Sequence, residues 1–181
     1  LGDVYKRQLD NIMAEFPDDS ITCIMGESGA GKTTLVRIIA GLENADRGTV
    51  SGAGVVSFDF QEDRLIPSLS AIENVAVVSR GKADKKEIRR RLEKILPKES
   101  LDKKVTELSG GMKRRVALAR ALEYPGKLII LDEPFTGLDH DTKLAIIEYI
   151  LDMRNKRILL VATHGLEDAA LLGAATIQLS E

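Results

Sequence analysis

The sequence predicts an α/β domain built on a mainly parallel central sheet flanked by helices. Three observations carry that reading: strand-like and helix-like stretches alternate, glycines fall between them, and the apolar runs are short and continuous. Continuous Leu, Ile and Val suit strands covered on both faces, whereas strict alternation would mark a sheet with one wet side.

The first strand is the run Ile21–Met25, which ends in a glycine-rich turn. A helix over 32–40 follows, stopped by Gly41. Further strands are expected at 54–60, 128–131, 158–163 and 176–179, and helices at 70–79, 85–96, 109–122, 141–154 and 166–172. With 181 residues, 44% of them hydrophobic and 30% charged, the chain fits one domain able to bury a core.

Lys and Arg number 26 against 28 Asp and Glu, a net charge of −2 that speaks against a main role in gripping nucleic-acid phosphates. Segment 80–104 stands out at net +6, leaving the rest at −8. Its apolar residues Ile88, Leu92, Ile95 and Leu96 keep helical spacing and no aromatic interleaves the cations, so the charge reads as the solvated face of a small helical unit. The single cysteine, Cys23, falls inside the first strand and is expected to be a buried free thiol, which suits a reducing compartment.

No apolar stretch approaches the roughly 20 residues needed to cross a bilayer, so membrane contact is expected only through another protein. Residues 3–8, Asp-Val-Tyr-Lys-Arg-Gln, resemble the translation of one frame of a transposon end used in DNA libraries. Residues 1–8 are therefore expected to be an artefactual start and carry no functional inference here.

Gly26-Glu27-Ser28-Gly29-Ala30-Gly31-Lys32-Thr33 matches GxxxxGK[ST] between a strand and a helix start. Its glycines let backbone N–H groups curl around phosphate oxygens, aided by the helix dipole; Lys32 reaches the terminal phosphates and the Thr33 hydroxyl ligates Mg²⁺. Thr34 continues the helix start beside them. A bare Gly-rich helix cap is the alternative, but strand and helix context favour a nucleoside triphosphate site.

Leu128 to Leu131 run into Asp132 and Glu133, which puts two carboxylates at the carboxyl end of a parallel strand, where such sheets bind ligands. Asp132 is expected to hold Mg²⁺ and Glu133 to polarise an attacking water. Further on, Leu108-Ser109-Gly110-Gly111-Met112 opens a helix with Ser109 at the N-cap and two poor helix formers behind it. That makes a second phosphate-binding helix end, and one nucleotide does not need two from one chain.

With these motifs the chain resembles the ATP-binding subunits of ATP-binding cassette (ABC) proteins from about Leu9 to its end. The resemblance adds Gln61 after a strand, Gly137-Leu138-Asp139 beyond Glu133, and His164 after the strand 158–163. It implies a P-loop NTPase fold with a small β-subdomain and a short helical subdomain at about 62–108, the whole of 1–181 forming one ABC ATPase domain. It also implies that ATP and Mg²⁺ are bound, that Gln61 contacts Mg²⁺ or the attacking water, that Asp139 couples two sites across a dimer, and that His164 contacts the γ-phosphate. His140, beside Asp139 and Asp141, reads as a solvated helix-start residue.

Three departures from the family pattern stand out. Met112 occupies a position where Gln is common; the Ser109-Gly110-Gly111 core is intact, so activity is expected to survive. The adenine-stacking aromatic is left unassigned, because Tyr5 lies in the suspect start. The segment 62–108, 47 residues, is short for the helical subdomain, as expected of a minimal cassette truncated at its start.

The implied partners are a second ATPase subunit, as a homodimer, transmembrane permease subunits and, indirectly, a solute-binding protein, with no nucleic acid. The implied location is cytoplasmic, peripheral at the inner face of the cell membrane. The stretches 60–65 and 73–75 are similar to nitrate, sulfonate and taurine-type importers. The competing classes are a soluble ABC ATPase of a non-transport machine, such as cofactor or cluster assembly, and a catalytically dead regulatory module.

Overall fold

The computed structural model describes residues 12–79 and 84–179, so the expectations for residues 1–8 and for Tyr5 lie outside the described residues. Among the latter, strands β1 (Ile21–Met25), β2 (Val56–Asp59), β3 (Leu128–Asp132), β4 (Ile158–Thr163) and β5 (Ala175–Gln178) form one sheet in the order β2-β3-β4-β1-β5. Every pairing is parallel. The helices are α1 (Lys32–Ile39), α2 (Ala71–Ala76), α3 (Lys85–Leu92), α4 (Gly110–Glu123), α5 (His140–Met153) and α6 (Leu166–Leu172).

Strands β1, β3 and β4 are buried almost throughout, which is why their sequences are apolar without alternation. Successive side chains still point to opposite faces. Cys23, Ile129, Leu131, Leu159 and Val161 join the larger core with Val116, Leu122, Ile146 and Ile150 of α4 and α5. Ile24, Ile130, Leu160 and Ala162 face the other way, onto Val36 and Ile39 of α1. Cys23 is fully buried, and burial, reinforced by the charge of Asp168, pushes its thiol up to about 12.

Between β2 and α4 the chain carries α2, α3 and two short 3₁₀ turns, Lys98–Ser100 and Val105–Glu107. A capping box starts α2: the Ser70 hydroxyl accepts from the Glu73 N–H at 3.2 Å and the Glu73 carboxylate accepts from the Ser70 N–H at 3.0 Å. The helix expected over 85–96 ends at Leu92, because Pro97 disfavours helical geometry at Leu96. Ile95 and Leu96 are buried all the same, on a tightened turn whose N–H groups both donate to the Leu92 carbonyl.

The small β-subdomain has no strand of its own among the described residues: all five strands belong to the one sheet. Residues 43–55 run as bends and irregular chain, with Gly48, Gly52 and Gly54 at φ 95°, 78° and 59°. Such left-handed geometry interrupts any strand ladder. No described helix is long and apolar enough to cross a membrane.

The register aligns Met25 with Thr163 and Asp132 with Ala162, so the carboxyl ends of β1, β3 and β4 lie side by side. The segments that follow them carry Gly26 to Gly31, Glu133 and His164.

Candidate functional site

A cavity of about 1040 Å³ opens at that edge. The loop between β1 and α1 forms its floor, and Gly29 and Gly31 turn there at φ 91° and 90°. Gly26 and Ala30 are buried beneath it; a Cβ on Gly26 would lie 3.0 Å from the Ala30 Cβ and 3.1 Å from the Leu179 carbonyl. Glu27, Ser28, Gly29, Gly31, Lys32, Thr33 and Thr34 face the cavity. Helix α1 begins at Gly31 without a side-chain cap and without an acid in its first turn, so its positive end is offered to an anion.

Lys32 Nζ donates to the carbonyls of Gly26 at 2.8 Å and Glu27 at 3.1 Å, and lies 3.4 Å from Glu133 Oε1. The Thr33 hydroxyl donates to Asp132 Oδ1 at 3.2 Å. Asp132 is 1% exposed; burial pushes its carboxyl up, the Thr33 hydrogen bond pulls it down, and the Glu133 charge pushes it up again. One hydroxyl and one carboxylate beside a phosphate cradle fit Mg²⁺, which completes its shell with phosphate oxygens and water. Among the described residues no cluster of three or more His, Cys, Asp or Glu offers an all-protein metal cage.

Glu133 sits just past β3, its N–H still donating to the Ala162 carbonyl at 2.9 Å, with φ at 51°. This left-handed turn lies at the point where the chain leaves the sheet and the side chain enters the cavity wall. Its Oε2 is 3.1 Å from His164 Nδ1 and accepts from the Thr136 hydroxyl at 3.4 Å. Lys32 and His164 thus flank one carboxylate. Gln61 also lines the cavity.

Two residues that the motifs did not single out also line the cavity: Thr136, three positions after Glu133, and Arg114 on α4. Arg114 grips Asp59 with both nitrogens, at 2.7 and 3.1 Å, and donates to the carbonyls of Phe60 and Asp132. One guanidinium therefore joins α4 to the residue before Gln61 and the residue before Glu133. Asp59 is 2% exposed; burial pushes its carboxyl up to about 7 against the pull of Arg114 and Arg120.

Ser109, Gly110, Gly111 and Asp139 do not join this cavity. Ser109 caps α4, its hydroxyl accepting from the Met112 N–H at 3.3 Å, and all three signature residues are exposed. Asp139 caps α5 in the same way, accepting from the Thr142 N–H at 3.0 Å and hydroxyl at 2.7 Å. These bonds hold its carboxyl below the usual range. His140 is exposed at the first turn of α5, as expected.

A family model described as ABC transporter matches residues 9–136. The chain belongs to the ABC transporter family. One relative of this ABC cassette is the aliphatic sulfonates import ATP-binding protein SsuB 1 of Pseudomonas syringae pv. syringae (strain B728a), 35% identical over 167 residues, covering 91% of this chain and 70% of the relative. Another is SsuB 2 of Burkholderia cenocepacia (strain HI2424), 36% identical over 184 residues, covering 95% and 68%. Among solved structures, a dimeric ATP-binding cassette in a post-hydrolysis state bound to ADP and Pi superposes with a TM-score of 0.78 at 28% identity, covering 96% of this chain and 86% of that one. The cassette is thus an ATPase of this family by membership, with its motifs split between one cavity and an exposed helix start.

Proposed function

We propose that this cassette hydrolyses ATP to energise solute uptake through a separate permease, and that two copies act head to tail. In each site Lys32 and the N-terminus of α1 hold the terminal phosphates, while Thr33 and Asp132, with Gln61, hold Mg²⁺. The metal, when bound, neutralises charge on the phosphate oxygens. Glu133 orients the attacking water and takes its proton; Lys32 and His164, on either side of that carboxylate, stabilise the charge that develops on the γ-phosphate. Ser109, Gly110 and Gly111 of one copy close over the phosphates held by the other, and Asp139 meets the partner copy.

A single observation carries the head-to-tail reading. A Cβ added to Gly110 or Gly111 would meet nothing within 4 Å, and neither residue has a positive φ. Within one chain these glycines only weaken the start of α4. A ligand approaching the backbone from outside gives them a reason.

Loss of the γ-phosphate removes the bridging contacts, the pair opens, and the helical segment 62–108 moves with Gln61 and the surface around 64–67 and Glu73 that receives the permease. The names of the relatives, which specify aliphatic sulfonates import, support an aliphatic sulfonate as the solute; in this reading a binding protein delivers it and the cassette sits at the cytoplasmic face of the membrane. The test is Glu133→Gln with MgATP on size exclusion with light scattering. A stable dimer with little turnover is expected; a strictly monomeric variant, with the permease present, overturns the reading.

A further inference from the structure

Behind His164, three elements meet. Lys143 lies one turn into α5, its N–H donating to the carbonyl of Asp139 at 2.9 Å. Its Nζ donates to Asp168 Oδ1 at 2.9 Å and to Glu167 Oε2 at 3.2 Å, both in the first turn of α6. Asp168 is 4% exposed, and its other oxygen accepts from the Thr163 hydroxyl at 2.6 Å. That hydroxyl in turn accepts from the Gly165 N–H at 3.2 Å.

Gly165 has no room for a side chain: a Cβ there would lie 2.7 Å from Asp168 Oδ2. The neighbours of His164 on both sides are thus fixed against one buried carboxylate, and Lys143 is the cation that compensates it. His140 adds a weaker tie between the same helices, Nδ1 to Glu167 Oε1 at 4.0 Å. On its far side His164 reaches Glu133 at 3.1 Å, and Glu133 reaches Lys32 at 3.4 Å. Polar contacts therefore run from the capped start of α5 to Thr163 and Gly165, and from His164 to the cavity, the two stretches joined through the backbone at 163–165.

We propose that Lys143 is a positioning residue: through Asp168 it holds the His164 loop so that the imidazole faces Glu133, and it ties that loop to the helix start bearing Asp139. Removing the ammonium leaves a buried carboxylate uncompensated, so the Asp168 side chain turns toward water and gives up its hold on the Thr163 hydroxyl and its packing against Gly165. Motion at Asp139, on the face proposed to meet the partner copy, then bears directly on the orientation of His164. The kinetic consequence rests on the ATP-hydrolysis reading; the structural consequence does not.

The test uses the whole chain as wild type, Lys143→Met, Lys143→Arg, His164→Ala and the Lys143→Met/His164→Ala double variant. In nucleotide-free protein, amide exchange at Gly165 is expected to speed up about tenfold or more in Lys143→Met, with protection restored in Lys143→Arg. In ATP turnover, Lys143→Met is expected to lower kcat about tenfold with KM within about twofold, and to add less than about twofold once His164 is Ala. Unchanged Gly165 exchange in Lys143→Met overturns the proposal whatever the turnover. So does a kcat loss that multiplies fully with that of His164→Ala, which marks a general weakening of the fold. A wild type that never hydrolyses ATP, yet shows the exchange difference, fails the hydrolysis reading and upholds the positioning.

Discussion

Replacing Gly110 and Gly111 together by Ala should make the isolated chain more stable and its assembly worse. Both positions are helical, neither has positive φ, and the added methyl groups meet nothing within 4 Å, so no internal strain opposes the change. Alanine is favoured over glycine by about 0.5–1 kcal/mol per helical position. That figure holds for a helix interior; at the first two positions of α4 the pair contributes about 1 kcal/mol at most, a rise of up to about 2–4 °C in melting temperature for a domain of this size. Thermal unfolding of nucleotide-free protein by circular dichroism measures the first effect. Size exclusion in the Glu133→Gln background with MgATP measures the second, where the dimer should be lost. A lower melting temperature would mean that the glycines serve an internal contact, and an undiminished dimer would mean that nothing approaches them from outside; either result refutes the reasoning.

Other consequences follow from buried groups. Asp59, with its carboxyl raised from the ordinary 3.8 to about 7, binds more proton folded than unfolded across that window. Its contribution to stability is therefore fully present below about pH 4 and is lost as pH rises through 7. Unfolding curves of Asp59→Asn against wild type should shift in favour of the Asn variant from pH 5 to 7 and level off above; a flat difference removes Asp59 as the titrating group. Cys23, fully buried and with its thiol at about 12, should react with a disulfide reagent at pH 8 at least about 100-fold more slowly folded than in denaturant. Labelling of the folded chain at the denatured rate would show that β1 opens readily.

Much of this architecture was legible because burial on two faces leaves a direct imprint on sequence. The wholly buried β3, Leu128–Asp132, reads as apolar residues ending in an acid, and its fold position follows. The turn at 26–31 was equally readable, since positive φ at Gly29 and Gly31 and the close approach at Gly26 demand glycine there. Periodicity misled at 93–96, where Ile95 and Leu96 keep core spacing although Pro97 has already ended the helix. The β-subdomain was carried by family likeness alone, and the glycines of 48–54 do not support a strand there. Arg114 with Asp59 and Lys143 with Asp168 were invisible because each pair joins side chains 55 or 25 residues apart, with no local pattern to announce the contact.

The backbone at Glu133 has an evolutionary corollary. A glutamate held at φ 51° carries a conformational penalty of about 1–3 kcal/mol that glycine or asparagine would largely relieve. Under the proposed role of Glu133, selection for turnover keeps this acid in place against that penalty. Lineages in which the enzyme falls silent should drift toward Gly or Asn at that codon, gaining heat resistance as they lose chemistry, so an inactive paralogue is expected to outlast its working sibling in the test tube.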